Sequence, residues 1–253
     1  MKGILRYGLL GLLAFLLFLL LLTPATLVTD QLAQRLPGFS AQTVEGRATE
    51  GSARGVTWRG VRIDRLYWNW QALALLTGWL EFRLDADDPE IKFGGRVAVN
   101  PGRRLRWRDA GGRLPLARLG ALAGQPKPPL LGMVEFNLRE LSLNAAGQPQ
   151  TADGTVYLRN ARLNLGQPLN LGDLTLQLAP AQPEGIQGVV KDLDGPLALE
   201  GTLNLLPDGR YHFTGQAAMR DAGNLALRQA MNLLGPPGGD GRWALNFTGV
   251  LPR

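Results

Sequence analysis

Apolar and polar residues alternate with a period of two along most of this chain, and that period excludes a helical body. Leu80, Phe82 and Leu84 fall on one side of an extended segment, Glu81 and Arg83 on the other. Ile91-Lys92-Phe93, Val97-Ala98-Val99 and Leu105-Arg106-Trp107 repeat the pattern, as do Val134/Phe136/Leu138, Val156/Leu158 and Leu174/Leu176/Leu178. Gly accounts for 33 of the 253 residues, well above the usual ~7%, which favours turns and bulges over long helices. One-sided alternation predicts an antiparallel sheet with one apolar face that must be covered or used.

The clearest unit is a C-terminal hairpin. Leu197, Leu199, Leu203 and Leu205 alternate up to Leu206-Pro207-Asp208-Gly209-Arg210, a turn in which Pro presets φ and Gly accepts a positive one. Tyr211, Phe213, Ala217 and Met219 resume the apolar face, and Trp243/Leu245/Phe247 forms the last strand. Gly201 and Gly215 interrupt the two hairpin strands at similar distances from the turn, which suits a bend or a close backbone approach. Helical signals are confined to residues 29–36, 70–76, 114–122 and 222–234. The Pro-rich stretch 123–130 reads as a linker or crossing loop, leaving open one long sheet or two small subdomains.

The N-terminus follows another rule. Residues 8–22 are an unbroken apolar run, and continuing to Val28 gives a length that spans a bilayer as a helix. Its ten leucines favour insertion by about 5 kcal/mol. Lys2 and Arg6 precede the run and no charge follows until Asp30, so the positive-inside rule puts residues 1–6 in the cytoplasm and 29–253 across the membrane. The competing reading is a cleaved signal peptide, for which Thr23-Pro24-Ala25 is a poor small-x-small site. We therefore expect an uncleaved transmembrane helix over 7–28.

Little in the chain points to chemistry. Without cysteine there is no disulfide, thiol nucleophile or iron–sulfur cluster, and a single histidine excludes a multi-imidazole metal site. His212 sits in Tyr211-His212-Phe213, pointing away from the apolar face. Asp85, Asp87, Asp88 and Glu90 surround Pro89 without the donor spacing of a calcium loop and read as a solvated turn. No catalytic residue, metal site or cofactor is expected. The formal net charge is +6, and Arg103, Arg104, Arg106 and Arg108 form its densest block. Outside the cytoplasm nucleic acid is not an expected partner; phospholipid headgroups or an acidic protein are, beside the plain alternative of a charged edge strand. Trp58, Trp68, Trp70 and Trp79 fall close together, and an extended Trp68-Asn69-Trp70 puts both indoles on one face. Core packing competes there with an interface role.

Three blocks carry a family resemblance: Gly55-Val56-Thr57-Trp58 with Leu66-Tyr67-Trp68-Asn69-Trp70 and residues 74–80; the hairpin 195–211; and Leu233-Leu234-Gly235 with Gly241-Arg242. Together with one N-terminal anchor they resemble the type II secretion system protein N family. The resemblance implies a non-catalytic accessory component of the inner membrane in Gram-negative bacteria, supporting export of folded periplasmic proteins through contacts with other secretion components. It also implies kinship with AsmA-like proteins, hence a curved, largely antiparallel periplasmic sheet with a few short helices. The alternative function is a lipid-binding or lipid-transfer module using an apolar groove.

Overall fold

The computed structural model describes residues 7, 11, 22–122, 128–164, 168–221, 223–233 and 235–251. Most of the apolar run 8–22, and most of the stretch 123–130, lie outside them. Among the described residues no helix is long and apolar enough to cross a membrane.

Among the described residues thirteen strands form one sheet in strict sequence order, each paired antiparallel with the next. They are β1 (Thr43–Gly46), β2 (Glu50–Trp58), β3 (Val61–Trp70), β4 (Leu80–Asp87), β5 (Lys92–Val99), β6 (Leu105–Pro115) and β7 (Leu130–Leu143). β8 (Pro149–Asn164), β9 (Pro168–Pro180), β10 (Ile186–Leu193), β11 (Leu197–Leu205), β12 (Arg210–Met219) and β13 (Trp243–Val250) follow. The sheet does not break at the Pro-rich stretch: β6 and β7 pair from Leu105↔Leu143 to Pro115↔Met133.

Residues opposite one another in an antiparallel ladder share a face. One register row can be followed through all thirteen strands: Val44, Ala53, Leu66, Ala86, Phe93, Gly112, Phe136, Val156, Leu176, Val190, Gly201, Gly215 and Leu245. Every member is apolar or glycine. The adjacent row, on the other face, runs Glu45, Ser52, Tyr67, Asp85, Gly94, Gly111, Asn137, Thr155, Gln177, Val189, Thr202, Thr214 and Asn246. A slip of one residue anywhere would put polar groups on the apolar face, so the pattern itself fixes the register.

The sheet curls with its apolar face inward. Laid flat, β3 and β7 would be about 19 Å apart, yet Val61 of β3 clusters with Leu114 and with Val134 of β7. Helix α1 (Ala25–Arg35) runs beside β1, and Pro24 bridges Arg47 at the β1–β2 turn. Leu36 ends it before Pro37-Gly38, as the sequence predicts. A 3-10 turn (Ala72–Thr77) joins β3 to β4. Helix α2 (Leu116–Leu122) crosses the apolar face and touches β3, β6 and β7. Helix α3 (Leu225–Asn232) covers the C-terminal strands, with Leu227 and Met231 packed on Leu197, Ala217 and Trp243.

Three helical expectations need correction. Leu114 and Pro115 extend β6 rather than starting a helix, because Leu114↔Val134 continues the apolar ladder. Trp70 closes β3 and pairs with Phe82, leaving only a 3-10 turn behind it. The C-terminal helix is shorter than 222–234, since Asn224 caps it by accepting the Leu227 N–H at 3.0 Å.

Candidate functional site

The curl that brings β3 against β7 encloses apolar space. A cavity of ≈ 470 Å³ opens between β2 and β8 beneath α2, lined only by apolar and aromatic side chains. Ile91, Leu114 and Val134 form its buried floor, and Trp58, Leu119 and Val156 complete the wall. An aromatic cluster sets one side: Trp107 meets Phe93 edge-on at 6.0 Å and Phe136 at 5.9 Å. Glycine makes this packing fit. A Cβ on Gly112 would stand 2.7 Å from the Cα of Phe93, and Gly95, at φ 148°, lies against the Trp107 indole. Such a cavity has no group to hold a cofactor or cation; it suits an apolar chain.

A larger depression of ≈ 700 Å³ lies on the opposite, polar face. It exists because Gly94 and Gly111 leave a trough without side chains between Asp85, Lys92, Arg113 and Glu135. It is shallow and open to water. The apolar cavity is the better candidate because displacing water from it costs no polar hydrogen bonds.

The four tryptophans separate. Trp68 and Trp70 lie on the apolar face together with Leu66, as their spacing predicts. Trp68 donates its indole N–H to the Arg47 carbonyl at 3.1 Å, and its ring covers Gly51. Trp79 follows the 3-10 turn at the same end of the sheet, stacked under the Arg106 guanidinium at 4.3 Å. Trp58 sits at the other end, at the β2–β3 turn and on the cavity wall, with Arg59 over its ring. About 30 Å of β3 separates it from Trp70.

The arginine block also divides. Arg108 pairs with Glu81, a carboxylate buried beneath it, and Arg106 is held by Trp79. Arg103 and Arg104 stand exposed in the β5–β6 turn. In the acidic cluster, Asp88 accepts backbone N–H groups from Asp64, Glu90 and Ile91 and so organises a turn. His212 is exposed on the polar face, its Nε2 2.8 Å from the Thr214 hydroxyl. Among the described residues no group of three His, Asp or Glu could hold a metal.

Another polar group is placed within the apolar side. Asp192 follows Val190 on the same face, is almost buried, meets Arg220 at 2.5 Å and accepts the Leu199 N–H at 2.8 Å. Burial alone would push its carboxyl up; the hydrogen bonds from Arg220 and Leu199 outweigh that and hold it below the usual carboxylate range.

Residues 37–246 match the family described as type II secretion system (T2SS), protein N. The chain belongs to the type II secretion system protein N family. Relatives of that name come from Vibrio cholerae serotype O1 (28% identical, covering 99% of this chain and 100% of the relative) and Klebsiella pneumoniae (31% identical, 88% and 86%). A third, from Aeromonas hydrophila, is 27% identical over 89% of this chain and 90% of its own length. No solved structure matches. The family match takes in the whole cavity wall and all but the end of β13. Sequence reasoning did not assemble the cavity, because its lining comes from six strands and α2, far apart in the chain. The only sequence signal was the one-sided alternation.

Proposed function

We propose that this chain is an accessory component of a type II secretion system, anchored in the inner membrane by its N-terminal leucine run, with a periplasmic sheet that works through contacts. The observation that carries this is the family match over 37–246, joined to a body whose order is spent on one uninterrupted sheet. The open-ended sheet offers a contact surface at β13, which among the described residues has no strand beyond it. A secretion component with an extended segment could pair there by strand addition. Deletion of the gene is expected to reduce export of type II substrates, with the full chain restoring it. Normal export in the deletion strain, and no cross-linked secretion component, would remove the role.

A second reading is favoured by the apolar cavity: the curled sheet holds the acyl chain of a phospholipid. Between α2 and α3 the apolar row continues through Val156, Leu176 and Val190, each half-buried, so the cavity opens onto an apolar path rather than a closed end. Phospholipid is expected to copurify with the full chain. Val134→Trp, which fills the cavity, should lower the bound lipid several-fold; lipid-free wild-type protein would count against this reading.

A further inference from the structure

Three neighbouring connections at one end of the sheet bear on how the body stands on a membrane. At that end, called proximal here, the apolar run enters the fold. Thr23 accepts the Ala48 N–H at 2.9 Å and Pro24 bridges Arg47, so only about 7 Å of chain can separate Leu22 from the β1–β2 turn. The β3–β4 and β5–β6 connections leave the sheet at the same end, each about 10 Å further along.

These three connections have one chemistry. Residues 47–49, 71–79 and 100–104 carry Arg47, Arg103 and Arg104 and no carboxylate; the nearest acids, Glu45, Glu50 and Glu81, lie on flanking strands, and Glu81 is buried against Arg108. The 3-10 turn presents Leu73 and Leu76 to solvent at 81% and 86% exposure. Leu27, in the first turn of α1, is exposed at the same end. Acids appear only in the later proximal connections, as Glu184 and Asp208, and the distal connections mix Asp88, Glu90, Asp194, Asp221 and Asp240 with Arg59, Arg118, Arg220 and Arg242. Leucines at the tip of a turn and flanking arginines match a bilayer boundary: the alkyl groups enter the acyl region while guanidinium groups stay with anionic headgroups.

We propose that the 3-10 turn and the β5–β6 turn seat the proximal end of the sheet on the surface of the same bilayer that holds the leucine run, with Leu73 and Leu76 inserted and Arg103 and Arg104 against anionic phospholipid. This rests on the anchor reading and adds a second point of attachment, which fixes the sheet upright and turns its distal end away from the membrane.

The absence of cysteine from the chain permits a clean test. Single variants Leu73→Cys, Leu76→Cys, Leu16→Cys and Gly239→Cys carry a nitroxide label in the full chain, reconstituted into phosphatidylethanolamine–phosphatidylglycerol vesicles. Gly239 is a distal position with open space around it. Power saturation against oxygen and a water-soluble nickel chelate reports immersion. Labels at 73, 76 and 16 are expected in the bilayer and the label at 239 in water. Immersion at 73 and 76 should become shallower in neutral phosphatidylcholine vesicles; equal depth would overturn the arginine contact. An aqueous signal at 73 and 76 with 16 immersed overturns the proposal and leaves the anchor standing. An aqueous signal at 16 as well overturns both. Labels at 73 and 76 shielded from both relaxants would indicate a protein contact and also overturn it.

Discussion

Gly201 and Gly215 face each other across β11 and β12, and the ring of Phe213 lies over the pair. A Cβ on Gly215 would come within 2.6 Å of the Glu200 carbonyl oxygen, which is backbone and cannot yield. A Cβ on Gly201 would meet the Phe213 ring at 2.5 Å, a side chain that can swing aside at the expense of its packing, and the Thr214 carbonyl oxygen at 2.9 Å, a looser backbone contact than that at Gly215. Gly215→Ala is therefore expected to destabilise more than Gly201→Ala, by about 1–3 kcal/mol for such overpacking. Thermal unfolding of the two variants checks the order.

Acid should weaken the C-terminal half through Asp192. Its carboxyl lies below the usual range when folded, so its contribution is complete above the unfolded value of ~3.9 and is lost as pH falls through the folded one. The Arg220 guanidinium, raised by the same hydrogen bond, stays charged throughout. Asp192→Asn is expected to lower Tm at pH 7, with the gap to wild type closing below about pH 4. A constant gap down to pH 3 would assign the effect to packing instead.

Helix α3 should be held by one side chain. Leu227 is fully buried in the C-terminal cluster, and Leu227→Ala should cost about 2–5 kcal/mol. Asn224→Ala removes only the cap and should cost about 1 kcal/mol. Denaturant melts of both variants measure the ratio.

His212 should be dispensable. It is exposed and its side chain meets Thr214 of the same strand, so His212→Ala is expected to change stability by less than about 0.5 kcal/mol. It should also leave substrate export unchanged in a complemented deletion strain, which a catalytic role would not allow.

Much of the sheet was legible in the residues because a period of two is local. The hairpin around Pro207-Asp208-Gly209 was readable to the residue, and the turn closes with Gly209 donating to the Leu206 carbonyl at 2.9 Å. The face of Trp68 and Trp70 followed from their spacing. Their grouping with Trp58 did not survive as a single patch. The turn at Arg59-Gly60 reverses the chain, so proximity in sequence became the length of a strand in space. The boundary at Leu114 was misplaced because leucine fits a helix stripe and a strand face equally well, and only the pairing with Val134 decides.

Two levels of information thus divide the molecule. The amino-acid sequence by itself determined the extended segments, the two chemically distinct faces and the family, since each follows from alternation, turn residues and short blocks that need no distant contact. Tertiary structure alone decided the continuity of the sheet, its curl, the cavity beneath α2, the pairing of Asp192 with Arg220, and the gathering of Leu73, Leu76, Arg103 and Arg104 at the end where the leucine run enters. Those arise from how far thirteen paired strands bend over one another, and no single strand encodes that bend.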